Sequence, residues 1–342
     1  MTAKSLICIN NQTFPGIQKL FINTGRDISE LNFLRAQGAL TDDWEIFSFP
    51  IPIFDNSLLE ASYCIAVKTA LANSIGKYFF GMNDDDHLAV DFFERMSNLF
   101  TKYPDAISGI GLMNRYFHAN SRIVAPPIGS GKGLNWKNRP EIEDGINVFR
   151  QFYGKRNYYY NPNPGFAYVC RIDKIKEVEK TYLYGAGYPD NSCLIQIVSR
   201  GKTVFDPNAH MYWGRHEKQE HLNYDTKHYW DCSYKEHLKR ILDINIDFMK
   251  KYHPHLVSEQ KMLKQYFRIV LIDSSINSFL MYLKKRGFVN LRLNTLQEID
   301  HGNKKFPIIR HLCIILSHPN YIFRRILKKL SFYFFSGIQN NK

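Results

Sequence analysis

The sequence predicts an α/β protein, with a mostly parallel sheet flanked by helices and a mainly helical C-terminal extension. The first observation behind this is that apolar, strand-like runs alternate with helical patterns through the first half of the chain. The second is composition, because 342 residues with 44% hydrophobic and 15% aromatic side chains can fill the core of a large α/β domain. The third is that the chain beyond about residue 220 reads as helical and rich in both charges. We therefore predict an α/β domain at 1–219 and a helical extension at 220–342.

The elements of the first half follow one another in a regular order. Four strands are predicted at SLICIN, WEIFSFPIPIF, KYFFGMN and DAISGIGLMN, and three helices at ISELNFLRAQGAL, SLLEASYCIAVKTALANSIG and LAVDFFERMSNLFTKYP. Prolines make the end of the second strand irregular, and Gly76 and Pro104 end the second and third helices. After a loop-rich stretch, we expect a strand at 166–170, a helix, an acidic turn at Asp190, a second helix, and a final strand that leads into a group of histidines.

The formal net charge of +13 is concentrated towards the C-terminus. No acidic residue follows Asp300, whereas eight cations do: Lys304, Lys305, Arg310, Arg324, Arg325, Lys328, Lys329 and Lys342. In the segment NYIFRRILKKLSFYFF, apolar side chains fall near one helical face and cations largely opposite, which is typical of a helix in an anionic membrane interface. A packed C-terminal helix with a solvated basic face is the alternative. Nucleic acid is not an expected partner, because no binding motif accompanies the charge.

Cysteine usage and hydropathy predict the compartment. The six cysteines are scattered without a C-x-x-C pair, which is typical of reduced thiols in a cytosolic protein. The first residues contain no long apolar run after Lys4, and no stretch of about 18 residues is apolar enough to span a bilayer. We therefore expect a cytoplasmic protein that associates peripherally with the inner face of the cell membrane.

Three consecutive aspartates, Asp84, Asp85 and Asp86, follow the apolar run of the third predicted strand. Neighbouring carboxylates repel one another, so the run is either a solvated turn or a site where a divalent cation is coordinated by several of them. In parallel α/β sheets, ligands bind outside the carboxyl ends of the strands. The position of the run therefore favours a cation or ligand site.

Three segments occur in an order found in one large enzyme family: IGKYFFGMNDDDH at 75–87, YPDNSCLIQIVSRGKTV at 188–204 and DPNAHMYWGRH at 206–216. With them, residues 5–216 resemble the metal-dependent nucleotide-sugar glycosyltransferases of the GT-A fold, in particular inverting glycosyltransferase family 2. The resemblance implies transfer of a sugar from a nucleotide-diphosphate sugar to a hydroxyl of a glycan or lipid-linked acceptor. Together with the basic tail, it points to bacterial surface polysaccharide synthesis, such as that of lipopolysaccharide or capsule.

The resemblance also implies roles for individual residues. The expected cofactor is Mn²⁺ or Mg²⁺. Asp85 is the favoured carboxylate ligand and Asp86 the next candidate. His216 is the favoured histidine ligand, with His210 as the alternative. Asp190 is implied as the general base that takes the proton of the acceptor hydroxyl. Outside this family context, Asp190 would be a helix N-cap and His216 a surface histidine.

Contacts with the donor are implied for six further residues: Asn10, Asn11, Asp55, Lys68, Asn83 and Asp84. The sequence departs from the family pattern at Asn83, where an aspartate is usual, and at Pro189, which replaces a glutamate. These departures favour a second hypothesis, a non-catalytic membrane-surface or scaffold protein with a transferase-like fold. A nucleotidyltransferase, the third hypothesis, would need a glycine- and lysine-rich loop near the first strand, and INNQTFPG is a poor one.

Overall fold

The computed structural model describes residues 2–23, 28–49, 59–118, 121–124, 140–153, 168–177, 196–215 and 232–265. The chain divides into two compact units, one formed by 1–223 with 237–266 and the other by 224–236 with 267–342. The described strands all belong to the first unit. Of the second unit, only residues 232–236 are described, and they are helical. The division into an α/β domain at 1–219 and an extension at 220–342 stays a prediction.

The N-terminal part of the first unit contains a two-stranded parallel sheet. Its elements in chain order are α1 Thr2–Asn10, β1 Lys19–Asn23, α2 Ile28–Ala36, β2 Trp44–Ser48 and α3 Leu59–Asn73. β1 and β2 run parallel, with Lys19 opposite Trp44 and Asn23 opposite Ser48. A small apolar core joins α1 to α2 and the turn that follows it; its members are Leu6, Leu31, Leu34, Ala39 and Leu40.

The predicted first strand, SLICIN, is wrong, because this segment forms the second half of α1. Ser5, Leu6 and Ile9 are buried, whereas Ile7 is 36% exposed. Burial at spacings of three and four residues belongs to a helix with one inward face, while a strand would bury every second residue. The first strand is instead KLFIN, which is β1, and all five of its residues are half-buried.

The second sheet has seven strands among the described residues. Its elements and neighbours in chain order are β3 Tyr78–Phe79, β4 His87–Leu88, α4 Phe92–Lys102, β5 Ala106–Phe117, β6 Arg122–Val124, β7 Ile142–Asp144, α5 Gly145–Tyr153, β8 Tyr168–Arg171, α6 Ile172–Lys176, a 3₁₀ turn Val198–Arg200, β9 Lys202–Arg215 and α7 Cys232–Tyr252. The strands lie in the order β3-β8-β5-β9-β4, with β6 paired to β5 and β7 paired to β9. Residues 257–265 are helical as well.

The central ladder of this sheet is the pairing of β5 with β9. These strands run parallel from Ala106 opposite Lys202 to Phe117 opposite Arg215, which makes this the longest ladder of the sheet. The other strands add short antiparallel pairings to it. The predicted α/β class, with a parallel-rich sheet flanked by helices, is confirmed, although the strands that border the central ladder run antiparallel.

Helix α4 packs its apolar face against the central ladder. Its inward residues recur at helical spacing and are buried: Phe92, Met96, Leu99 and Phe100. They share one core with Leu88 of β4 and with Val204 and Met211 of β9. Because β4 is held between this core and β9, the turn that precedes β4 has a fixed position on the sheet.

The other predicted elements of the first half are present. The helices predicted at 28–40, 57–76 and 88–104 correspond to α2, α3 and α4, and the fourth predicted strand is β5, which continues to Phe117. KYFFGMN forms only the two-residue strand β3. The basic segment 304–342 lies outside the described residues. Among those that are described, no helix combines the length and hydropathy needed to cross a bilayer.

Candidate active site

The three aspartates lie in the turn between β3 and β4, directly before β4 begins at His87. The backbone N–H of Asp86 donates to the carbonyl oxygen of Asn83 across this turn, with a distance of 3.3 Å. Three separate parts of the chain contact the turn: helix α1, the residue that follows β5, and strand β9. Each of them binds a different aspartate.

Helix α1 binds Asp84. The Thr2 hydroxyl donates to Oδ2 of Asp84 at 3.0 Å, and the Ser5 hydroxyl donates to the Asp84 carbonyl oxygen at 2.8 Å. Both donors come from the first turn of the helix, where the partial positive charge of the helix dipole favours a nearby carboxylate. The N-terminus of α1 therefore stabilises the start of the aspartate turn.

The residue after β5, His118, binds the backbone of Asp85. Its Nε2 lies 3.0 Å from the Asp85 carbonyl oxygen, and because a carbonyl only accepts, this ring nitrogen must carry the hydrogen. Gly214 of β9 approaches the same carbonyl so closely that a Cβ at position 214 would lie 2.0 Å from the oxygen. The side chain of Asp85 is half-exposed.

Strand β9 binds the side chain of Asp86, which is 0% exposed. Oδ1 accepts a hydrogen bond from the Gly214 backbone N–H at 2.9 Å, while the buried Oδ2 has no hydrogen-bond partner within the described ranges. Burial raises the pKa of Asp86 to about 8, and the neighbouring charge of Asp85 acts in the same direction. A buried carboxylate oxygen without a donor is unfavourable unless a proton or a cation reaches it.

Three rings pack together beside the turn. The His118 ring lies 5.0 Å from that of Tyr116 and 5.4 Å from that of His87, and the His87 and Tyr116 rings are 5.2 Å apart. Burial lowers the pKa of His87 to about 4, and the neighbouring His118 acts in the same direction. The His87 ring is therefore neutral near pH 7, and its buried Nδ1 has no hydrogen-bond partner in the part of the chain that the structure describes.

The aspartate oxygens suit the cofactor that the family resemblance implies. Mg²⁺ and Mn²⁺ prefer oxygen ligands, which the carboxylates of Asp85 and Asp86 supply, and the unpartnered Oδ2 of Asp86 is the structural observation in favour of the fit. Across the described ranges, no group of three or more His, Cys, Asp or Glu side chains is arranged to hold a metal. The expected third ligand, His216, lies outside those ranges.

His210, the alternative to His216, is part of β9. Its Nδ1 lies 3.1 Å from the side-chain nitrogen of Asn114 on the paired strand β5. Because the amide nitrogen can only donate, Nδ1 is the acceptor in this bond. The lone pair on Nδ1 is therefore used in this hydrogen bond within the sheet.

The predicted donor residues that the structure describes lie in different places along the first unit. Asn10 ends α1, and its Oδ1 accepts from Lys19 Nζ at 3.0 Å and from Trp44 Nε1 at 2.9 Å. Asn11 and Lys68 are both exposed. Asn83, the residue before the turn, is half-buried and lies with the aspartates. Asp55 and Asp190 lie outside the described residues.

The sequence analysis missed His87, His118 and Gly214 as neighbours of the aspartates. His87 carries a usable signal, because it follows Asp86 directly. His118 and Gly214 have no such signal, since they are 33 residues from Asp85 and 128 residues from Asp86, respectively. Only the pairing of β5 with β9 brings them to the same place.

Comparisons with known proteins give no family assignment. No protein-family model matches the chain, and no curated protein sequence does. Among solved structures, the chain is similar to S. aureus TarS, with a TM-score of 0.43 and 11% identity over 87% of this chain and 52% of that one. It therefore spans about half the length of that protein. The chain is also similar to two structures of S. aureus TarS 1–349, and each match covers 88% of both chains. The first has a TM-score of 0.42 and 11% identity, and the second, in complex with UDP, has a TM-score of 0.39 and 10% identity. At TM-scores below 0.5, nothing about this chain's site or activity follows from the likeness.

Proposed function

We propose that this protein is a metal-dependent, inverting glycosyltransferase of the GT-A type that uses a nucleotide-diphosphate sugar. The single observation that carries the proposal is the aspartate turn, which contacts the carboxyl ends of β5 and β9 and in which a buried carboxylate oxygen of Asp86 has no hydrogen-bond partner among the described residues. Ligand sites in α/β sheets lie at such strand ends. The order of motifs that resembles glycosyltransferase family 2 supplies the reaction class.

The aspartate turn would hold Mn²⁺ or Mg²⁺. Asp85, whose side chain is half-exposed, and Asp86 would supply oxygen ligands, and His216, which follows Gly214 by two residues in the sequence, would supply the third ligand. A divalent cation bound there would neutralise the charge that grows on the leaving pyrophosphate. On this proposal, Asn83 and Asp84, at the start of the turn, would contact the ribose or base of the donor.

Asp190 would act as the general base. A carboxylate on the face of the sugar opposite the leaving group takes the proton of the acceptor hydroxyl as that oxygen attacks the anomeric carbon. Attack from this face inverts the configuration at the anomeric carbon. The acceptor hydroxyl belongs, on this proposal, to a glycan or a lipid-linked glycan, as in bacterial surface polysaccharide synthesis.

Metal-dependent nucleotide binding tests the proposal most directly. We expect calorimetry to show binding of UDP or GDP that requires Mn²⁺, and a panel of nucleotide sugars to reveal one donor from which free nucleotide is released. Asp85→Ala should abolish the Mn²⁺-dependent binding and leave the melting temperature unchanged, because a half-exposed side chain contributes little to the core.

The matched control is Asp42→Ala, which removes an exposed carboxylate elsewhere in the first unit and should bind Mn²⁺ and nucleotide normally. If the Asp85 and Asp86 variants both keep wild-type affinity for Mn²⁺ and nucleotide, the metal assignment is wrong. If the wild-type protein shows no metal-dependent nucleotide binding at all, the non-catalytic scaffold hypothesis takes its place.

We further propose that the basic C-terminal segment binds an anionic membrane surface. Each of its cations near such a surface contributes about 1 kcal/mol of attraction, which salt weakens. Deletion of residues 304–342 should therefore release the protein from anionic vesicles and leave hydrolysis of the donor intact, as a vesicle flotation assay and a nucleotide-release assay would measure. Aggregation or unfolding of the truncated protein would mean that this segment closes a core.

A further inference from the structure

We infer that His118 is a positioning residue that fixes the metal-binding aspartate turn through the backbone of Asp85. This inference rests on the proposed function, because it assigns a residue that acts on the proposed cation site without touching the cation. It starts from a feature that the roles of Asp85 and Asp86 leave unexplained. The carbonyl oxygen of Asp85 lies between the side chain of His118, which follows β5, and Gly214, near the end of β9.

The Asp85 carbonyl and the His118 ring leave no room for a side chain at position 214. His118 Nε2 lies 3.0 Å from the Asp85 oxygen. A Cβ at position 214 would be 2.8 Å from the same ring nitrogen as well as 2.0 Å from the oxygen. The oxygen, the ring nitrogen and the backbone of Gly214 therefore form one compact contact, which exists only because residue 214 has no side chain.

This contact holds the peptide group between Asp85 and Asp86 from both sides. Its oxygen accepts from His118 Nε2, and its N–H donates to Asn83 at 3.3 Å. Because the peptide group is planar, fixing its orientation restricts ψ of Asp85 and φ of Asp86, and with them the directions that the two side chains can take. The half-exposed carboxylate of Asp85 is therefore aimed by His118, and the buried carboxylate of Asp86 is held in the same register by Gly214.

The position of the His118 ring is itself set by its neighbours. It follows β5 directly and contacts the rings of Tyr116 and His87 edge-on or tilted, at 5.0 and 5.4 Å. The ring thus belongs to the end of the central ladder and not to a separate loop. Groups that orient metal ligands through a hydrogen bond typically change metal affinity about 10- to 100-fold when they are removed.

Two substitutions separate the hydrogen bond from the ring packing. His118→Phe keeps a ring and removes the donor, whereas His118→Gln removes the ring and keeps a side-chain N–H with the reach of Nε2. If His118 acts through the Asp85 carbonyl, the Mn²⁺ dissociation constant, measured by calorimetry in the presence of UDP, should rise about tenfold or more in His118→Phe. It should stay close to the wild-type value in His118→Gln.

The controls keep folding defects and the proposed function apart from this inference. His255→Phe replaces an exposed histidine of the same unit and should leave the Mn²⁺ affinity unchanged. If His118→Phe does not fold by thermal melting, His118→Asn takes its place, because its shorter amide cannot reach the carbonyl. If the variant without the donor keeps the wild-type Mn²⁺ affinity, or if it and His118→Gln lose the same Mn²⁺ affinity, the inference is wrong while the proposed function stands. Absence of Mn²⁺-dependent UDP binding in the wild-type protein overturns the proposed function and the inference with it.

Discussion

Replacing Gly214 by Ala is expected to destabilise the fold and to abolish metal binding together. The added Cβ would lie 2.0 Å from the Asp85 carbonyl oxygen and 2.8 Å from His118 Nε2, and backbone atoms cannot move aside as the end of a flexible side chain can. Overpacking of this kind typically costs about 1–3 kcal/mol, so we expect a melting temperature several degrees lower. The same displacement would move the backbone N–H of residue 214, which donates the hydrogen bond to Asp86 Oδ1.

Two other glycines serve as controls for the Gly214 variant. Gly145 is also closely surrounded, since a Cβ there would lie 1.7 Å from the Val198 carbonyl oxygen, but its neighbours are not part of the aspartate turn. Gly145→Ala should therefore lower the melting temperature without a specific loss of Mn²⁺ affinity at a temperature where the protein is folded. Gly76→Ala meets its nearest atom at 3.5 Å and should be neutral. Normal Mn²⁺ affinity of folded Gly214→Ala would contradict the proposed geometry of the turn.

Replacing Asp190 by Asn is expected to reduce turnover about 10²- to 10⁴-fold while donor binding remains intact. An amide has nearly the size of a carboxylate but cannot accept the proton of the acceptor hydroxyl. A loss confined to the chemical step lowers kcat and kcat/KM equally and leaves the donor dissociation constant unchanged. Steady-state kinetics with a donor and acceptor pair, alongside calorimetry with the nucleotide, measures both quantities.

Asp190→Ala distinguishes the general base from a helix N-cap. Asparagine caps helices about as well as aspartate does, whereas alanine does not, at a cost of about 1 kcal/mol. If Asp190 is the base, the Asn and Ala variants should be equally slow. If it is only a cap, the Asn variant should turn over normally, and only the Ala variant should lose stability.

Much of the fold could be predicted from the sequence because its helices have strong local patterns. The spacing of Phe92, Met96, Leu99 and Phe100 predicts α4 without knowledge of its partners, and the buried run at the start of β5 predicts a strand. The segment SLICIN was predicted wrongly because a short apolar run does not distinguish a strand from a buried helical turn. The exposure of Ile7 between the buried Leu6 and Ile9 identifies the segment as a helix. This exposure depends on how the chain packs, so the sequence alone does not show it.

The candidate site was predictable only where its residues are contiguous. Asp84, Asp85 and Asp86 can be recognised in the sequence because three adjacent carboxylates repel one another, which is unfavourable unless water or a cation offsets the repulsion. Which aspartate is buried could not be predicted, because that depends on how β9 passes the turn and not on the residues themselves. The same holds for His118 and Gly214, whose partners are set by the register of β5 against β9.

The distance along the chain between the groups that hold the aspartates has a consequence for biosynthesis. Thr2 precedes Asp84 by 82 residues, and Gly214 follows Asp86 by 128. Contacts between such distant segments form late, because a long loop must close first and the chain emerges from its N-terminus onward. We therefore expect Asp86 to remain hydrated on the ribosome until residue 214 has been made. During that time, the repulsion between the three aspartates and those of other nascent chains would oppose aggregation through the apolar segment YFFGM.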